Sequence, residues 1–109
     1  MSHPIESAQT FHPAESIEYA GQSVVSKTIV KKPTGNITLF AFDRGEGLAE
    51  HSSPHEALVQ ILDGKAEIVI GGQPHLLETG QCIILPADVP HGLKAVERFK
   101  MMLVMIKNN

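Results

Sequence analysis

The fold is decided by two pieces of sequence, GEGLAEHSSPHEALVQILDGKAEI at residues 45–68 and GQCIILPADVPHGLKAV at residues 80–96. In both, short apolar and β-branched runs alternate with Gly, Pro, Asp and Ser, a pattern typical of β-strands joined by tight turns. They contain His51, His55 and His91. Because strands that close on one another bring distant positions together, we expect imidazoles to meet here. Imidazole is the usual ligand of transition metals and the usual acid or base near neutral pH.

The flanking sequence also shows the pattern of β-strands. SVVSKTIV at residues 23–30 and ITLFAFD at residues 37–43 enclose a turn at residues 32–36. Further along the chain, Asp63–Gly64 predicts a hairpin turn between ALVQIL and KAEIVI, and Gly71–Gly72 predicts the next turn. No stretch has sustained helical periodicity. About nine short strands punctuated by Gly or Pro predict an all-β fold, a closed antiparallel sandwich or barrel.

The last predicted strand is apolar on both faces. One face carries Phe99, Met101, Leu103 and Met105, and the other carries Met102, Val104 and Ile106. A small barrel covers only the inner face, so we expect an N-terminal arm at residues 1–20 or a second subunit to cover the outer face, and a homodimer is the economical solution. The alternative is a strand sandwiched between two sheets of one monomer. We therefore expect an arm that can be exchanged with a dimer partner, followed by a single barrel domain at residues 21–109.

Composition excludes several partners. The net charge is −3 and the nine Lys and Arg are scattered, so no basic patch is available for nucleic acid. No apolar run approaches the length of about 18 residues that a membrane span needs, and the N-terminus lacks a signal-peptide pattern, so we expect a cytoplasmic protein with no membrane partner. The lone Cys82 lies in CIIL, where a small buried hydrophobic side chain is the expected role.

The first piece of sequence resembles the first conserved motif of the cupin superfamily. That motif runs glycine, five residues, His, one residue, His, three or four residues, Glu, six residues and glycine. His51 corresponds to the first His and Gly64 to the closing glycine, whereas Ser53 stands at the second His and Ala57 at the Glu.

The second piece resembles the second cupin motif, which runs glycine, five residues, Pro, one residue, Gly, two residues, His, three residues and Asn. Gly80, Pro86 and His91 match it, whereas Asp88 replaces the Gly and Ala95 replaces the Asn. The two motifs cover roughly half of the chain. The resemblance to small single-domain cupins of the conserved-barrel type implies an antiparallel jelly-roll β-barrel.

In cupins, the two histidines and the Glu of the first motif and the His of the second usually hold a divalent metal ion. The resemblance therefore implies a metal site of which this chain keeps His51 and His91. Two other residues would be able to compensate, His55 and Gln60. Strand alternation points Gln60 away from the barrel if Ala57 faces it, which favours His55. The predicted metal is a transition metal such as Mn, Fe, Ni or Zn, held by these residues.

Two functions remain open from the sequence, and a third is weaker. The first is a metal-dependent enzyme of the dioxygenase, isomerase or lyase type that acts on a small molecule. The second is a metal-free module that binds or senses a small ligand. A barrel retained only for assembly ranks last, because enclosed histidines without partners are costly. The predicted ligand pocket consists of His51, Ser53, Ala57, Val59, Ile61 and His91.

Overall fold

The computed structural model describes residues 4–107, so the first three residues of the predicted arm and the last two of the predicted barrel domain lie outside the described residues. Within this range, no helix is long and apolar enough to cross a bilayer. The secondary-structure elements of the described residues are, in chain order, a 3₁₀ turn at Pro13–Glu15, β1 at Val24–Lys32, β2 at Gly35–Phe42, β3 at Gly47–His51, β4 at Glu56–Ile70, β5 at Gln73–Glu78, β6 at Cys82–Leu85 and β7 at His91–Ile106.

Two long strands, β4 and β7, organise the fold. They pair antiparallel from Glu56 opposite Ile106 to Ile70 opposite His91, and both bend in the middle, where the register shifts. The first half of β4 and the second half of β7 form one sheet with β1, β2 and β6. The remaining halves form the other sheet with β3 and β5. The two sheets enclose one core, which confirms the predicted antiparallel all-β barrel.

The predicted hairpin turn at Asp63–Gly64 is wrong, because β4 continues through this dipeptide. The register against β7 shifts on either side of it, so the residues form a bulge that bends the strand from one sheet into the other. Gly64 has φ +83°, and a Cβ there would overlap the carbonyl oxygen of Arg98, so only glycine fits. Likewise, β7 is one strand, not two. These two unbroken strands account for the difference between about nine expected strands and the seven found in residues 4–107.

The main core lies between the two sheets and is apolar. The rings of Phe42 and Phe99 stack with centroids 4.5 Å apart, and both side chains are fully buried. Val59, Ile61 and Met101 pack in the same cluster. Burial of these large side chains stabilises the barrel by about 1.5–3 kcal/mol for each, and it fixes the inner faces of β4 and β7 on which the candidate site depends.

The N-terminal arm packs on the outer face of the larger sheet. Ile17 is buried against Leu39, and Met102 of β7 packs against the same cluster. Polar contacts also hold the arm in place. Tyr19 Oη donates to Asp63 Oδ2 at 2.5 Å, and the ammonium group of Lys100 donates to the carbonyl oxygen of Ala14 at 2.6 Å. The arm therefore covers part of the outer face within one chain, and its exchange between subunits stays a prediction.

The part of the outer face beyond the arm remains apolar and open. Five apolar residues stand opposite one another across successive strands, so that one line crosses the whole sheet. We call these residues the outer row: Val30, Ile37, Val104, Leu58 and Ile84. Ile84 is 58% exposed, and Ile106, next to the row, is 63% exposed.

The prediction that Cys82 is buried is wrong. Its thiol is exposed, since Cys82 pairs with Gln60, on the outer face. The neighbouring Ile83 instead packs against the inner core. The run CIIL is apolar on both sides, so its composition does not reveal which residues face inward.

Candidate functional site

A cavity of about 70 Å³ lies between the sheets, where the end of β3 meets the start of β7. Its wall is mostly Leu and Met, and the polar side chains on it are three His and one Ser. The lining residues are Leu48, His51, Ser53, His55, Ala57, Leu85, His91, Leu93, Met101, Leu103 and Met105. None of these side chains carries a permanent charge, so the cavity is an apolar space with one polar side.

Two of the imidazoles adjoin. His51 at the end of β3 is the register partner of His91 at the start of β7. Their ring centroids lie 4.5 Å apart with an interplanar angle of 62°, an edge-to-face arrangement. His91 is only 7% exposed, whereas His51 is exposed. One ring therefore forms part of the enclosed wall and the other stands at the mouth of the cavity.

The close approach of β3 to β7 depends on a glycine. A Cβ at Gly47 would overlap the carbonyl oxygen of Leu93 in the neighbouring strand. The pairing of Gly47 with Lys94 begins the ladder that ends at His51 and His91, with a register shift after Leu48. In the local sequence GLAEH, Gly47 thus allows β3 to pair closely with β7, and this pairing positions His51 at the end of the strand.

Both imidazoles are anchored through the same ring nitrogen. Nδ1 of His51 lies 2.9 Å from the carbonyl oxygen of Ala49, and Nδ1 of His91 lies 3.2 Å from that of Val89. A carbonyl oxygen only accepts hydrogen bonds, so each Nδ1 carries the hydrogen and donates it. In the neutral ring, Nε2 then holds a lone pair on the side away from the backbone. The site therefore presents two acceptor nitrogens.

The bend that follows His51 adds polar groups to the cavity. The Ser53 hydroxyl accepts a hydrogen bond from the backbone N–H of His55 at 3.2 Å. The carbonyl oxygen of Ser53 accepts another from the N–H of Asp88 at 2.7 Å, which ties the bend to the loop before β7. Ser53 and His55 both line the cavity. The Ser53 hydroxyl still has its own hydrogen to donate.

The structure brings together only part of the predicted pocket and metal sets. Ala57 lines the cavity, while Val59 and Ile61 share its inner face but pack deeper in the core, fully buried and away from the cavity wall. Gln60 lies on the other face of β4, opposite Met102 and Cys82, neighbours that do not line the cavity. Alternation along β4 gives this placement, and the strand has no bulge before Ile61 that reverses it.

The sequence reasoning missed most of the apolar wall. Met101, Leu103 and Met105 come from the inner face of β7, and Leu48 and Leu93 from the β3–β7 pair. The alternation in the last strand already grouped the first three on one face. Their place beside the histidines depends on the register of β7 against β4, which no local pattern reveals.

The donor set does not fit a divalent metal ion held by the protein alone. Within residues 4–107, no three side chains of His, Cys, Asp or Glu form a group that could hold a metal ion. The adjoining His51 and His91 supply two neutral nitrogens, and Ala57 stands where the resembling family has a carboxylate. Structural and catalytic metal sites take three or four protein ligands, and a divalent cation favours at least one charged ligand.

Comparison with known proteins agrees with this architecture. The family profile described as "Cupin domain" matches residues 38–107. A crystal structure of a conserved protein of unknown function from Streptococcus pyogenes is similar with a TM-score of 0.91 and 37% identity, over 99% of this chain and 95% of that one. A cupin 2 conserved barrel domain protein from Leptotrichia buccalis has a TM-score of 0.83 and 39% identity, over 86% of this chain and 46% of that one.

One curated relative also matches. Protein SchB from Streptomyces halstedii is 30% identical over 71 residues, which is 64% of this chain and 51% of that protein. The matched region thus spans about half the length of SchB, and the chain likewise spans about half of the Leptotrichia protein. The profile match covers more than half of the chain and includes the strands that carry His51 and His91. The chain therefore belongs to the cupin family, as a small barrel.

Proposed function

We propose that this cupin barrel binds a small molecule in the cavity between its sheets, without a metal ion held by the protein. The observation that carries the proposal is the pair of imidazoles, with ring centroids 4.5 Å apart, on the wall of a cavity lined mostly by Leu and Met. Ligand pockets in proteins are mostly apolar with a few convergent polar groups that fix orientation. The apolar walls would hold the body of the ligand, and His51 and His91 its polar group.

The size and lining of the cavity support a small ligand. One water needs about 10–15 Å³ of such space, so a cavity of about 70 Å³ has room for a few water-sized groups. Met101 and Met105 on its wall have flexible side chains that repack around differently shaped ligands. Since His51 is exposed at the mouth, a longer ligand would be able to extend past it towards solvent.

A second candidate is a metal-dependent enzyme of the dioxygenase, isomerase or lyase type. One observation favours it: both Nδ1 atoms donate to backbone carbonyls, the arrangement that usually orients metal-binding histidines. His55 lines the same cavity and is the third histidine on its described wall. The absent carboxylate at Ala57 counts against this candidate, because a divalent charge beside apolar walls would lack compensation.

Metal analysis of protein purified without a histidine tag separates the two candidates. Elemental analysis would follow dialysis with Mn, Fe, Ni and Zn offered in turn. We expect less than a tenth of an equivalent of any metal on each chain. About one tightly held equivalent, lost in His91→Ala and retained in the control His75→Ala on the exposed face of β5, would instead establish the metal-dependent candidate.

We also propose that two copies associate through the outer row. The row spans every strand of its sheet and continues to the exposed Ile106. Contiguous exposed apolar surface on a small protein usually marks an interaction site. A second copy is the occupant we favour, because one row of apolar residues across a sheet is complementary to itself under two-fold symmetry.

A further inference from the structure

We infer that the ligand of this cavity is a neutral molecule with a hydroxyl group on an apolar body, and not a carboxylate or a carbonyl compound. This inference rests on the proposed function, since it names the chemical class of the molecule bound there. It follows from the hydrogen-bonding state of three of the four polar side chains on the cavity wall, His51, His91 and Ser53.

The two imidazoles set the first requirement, a hydrogen-bond donor. Because Nδ1 of His51 and Nδ1 of His91 each donate to a backbone carbonyl, both Nε2 atoms are acceptors whenever the rings are neutral. A carbonyl oxygen or a carboxylate also only accepts, so it would face two lone pairs. A hydroxyl or amine hydrogen would instead complete a hydrogen bond with either ring.

Ser53 sets the second requirement, an acceptor. Its hydroxyl oxygen already accepts the backbone N–H of His55, and its hydrogen remains available to donate. A hydroxyl on the ligand both donates and accepts, so it is able to satisfy an imidazole and Ser53 together. A protonated amine offers no acceptor, and a carboxylate on the ligand meets no Lys or Arg among the described residues of the cavity wall.

The remaining wall sets the third requirement, an apolar body. Apart from His55 and Ala57, the rest of the described wall is Leu48, Leu85, Leu93, Leu103 and both methionines, which offer no polar hydrogen-bonding group. A polyol or sugar would bury hydroxyl groups against these side chains without partners, which is unfavourable. The chemistry that fits is a phenol or a small apolar alcohol.

Three probes of nearly equal size test the inference: phenol, which donates and accepts, benzaldehyde, which only accepts, and toluene, which does neither. Each would be titrated at pH 8, where imidazole is normally neutral, into protein labelled at the methionine methyl groups, with binding followed by NMR. We expect phenol to bind roughly five- to tenfold more tightly than toluene, since a net hydrogen bond contributes a factor of this order. Benzaldehyde should bind no better than toluene.

Two variants assign the preference to the imidazoles. In His51→Leu, whose ring is exposed and not needed for the core, the preference for phenol should fall at least twofold, and in His91→Leu it should disappear. The control His75→Leu, on the exposed face of β5, should keep it.

The outcomes distinguish a failure of the inferred hydroxyl class from a failure of small-molecule binding itself. Equal binding of all three probes at the Met101 and Met105 signals would overturn the inferred hydroxyl class and leave small-molecule binding intact. Tighter binding of benzaldehyde, or of benzoate added as a fourth probe, would overturn it in the same way. If no probe shifts these signals at millimolar concentration, the proposed function itself fails.

Discussion

Restoring a carboxylate at Ala57 is a direct test of the site geometry. Ala57 is 6% exposed, lines the cavity, and is the register partner of Met105 on β7. In Ala57→Glu, four additional heavy atoms would enter the cavity and place a carboxylate near His51 and His91. If the three side chains converge, the variant gains the third ligand, and the negative charge, that a divalent ion requires.

The substitution should lower the stability of the protein without metal, and metal binding should restore most of that stability. Without metal, a carboxylate enclosed by Leu and Met and lacking a cationic partner should lower the free energy of unfolding by about 3 kcal/mol. For a domain of this size, that corresponds to a decrease in Tm of roughly 10–20 °C. With Zn or Ni a hundredfold above its Kd, binding to the folded state returns about 2.7 kcal/mol, which nearly restores the Tm.

Thermal unfolding by circular dichroism, with chelator or with Zn, measures both effects. The matched control is Ala57→Gln, which has the same shape without the charge. It should be destabilised less and should respond much less to metal. The wild type should show little metal response, because its described residues offer no third ligand of this kind. A Tm for Ala57→Glu that rises with metal no more than that of the control would refute the convergence of Ala57 and the imidazoles.

Three other predictions concern the scaffold. In Ile84→Lys, a charge at the exposed edge of the outer row should convert a wild-type dimer into a monomer in light scattering at micromolar concentration; a monomeric wild type would contradict the dimer proposal. Burial and the adjacent Asp63 raise the pKa of Tyr19 well above its usual range. Its contribution to stability should therefore be complete below the ordinary tyrosine pKa and disappear in strongly alkaline solution as pH rises through the folded-state pKa. Tyr19→Phe should lower the unfolding free energy by about 1 kcal/mol near neutral pH and remove that alkaline loss; an alkaline profile unchanged by the variant would contradict the role of this contact. Gly64→Ala should cost about 2 kcal/mol or more in denaturant unfolding, because φ is left-handed there and a Cβ would overlap the Arg98 carbonyl oxygen; a loss below 0.5 kcal/mol would show that the bulge relaxes.

Local patterns predicted the strands and most turns because these depend on neighbouring residues. Lys32 pairs with Gly35 across the predicted first turn, and β4 ends where Gly71–Gly72 begins. The same local logic failed at Asp63–Gly64. An Asp-Gly pair suits a hairpin turn and a bulge equally well, since both need a left-handed glycine. The deciding factor is β7, which pairs with β4 on both sides of the bulge and lies more than thirty residues away in sequence.

In the candidate site too, some features follow from local sequence and others from the alignment of distant strands. Alternation along β4 separated Gln60 from the inward-facing Ala57, and the two cupin-like motifs pointed to His51 and His91. The depth of Val59 and Ile61 below the cavity, and the Met and Leu wall around it, depend on how β3, β4 and β7 align. The two backbone hydrogen bonds that fix the imidazole tautomers also depend on local backbone direction, which residue identity alone does not determine.

Charge balance explains why Ala57 and Ser53, at the positions of a carboxylate and an imidazole in the cupin motif, affect which ligands the cavity favours. In a metal-holding barrel, a carboxylate offsets part of a divalent charge, and three imidazoles replace its hydration shell. Here Ala57 removes the compensating charge, Ser53 replaces one imidazole, and the described residues of the wall include no Asp, Glu, Lys or Arg to substitute. A divalent ion would therefore lose hydration without an equivalent return, while a neutral molecule would pay little for desolvation and gain apolar contacts. The same two substitutions that weaken a metal site are therefore consistent with the proposed uncharged ligand, which two acceptor nitrogens and one hydroxyl would orient.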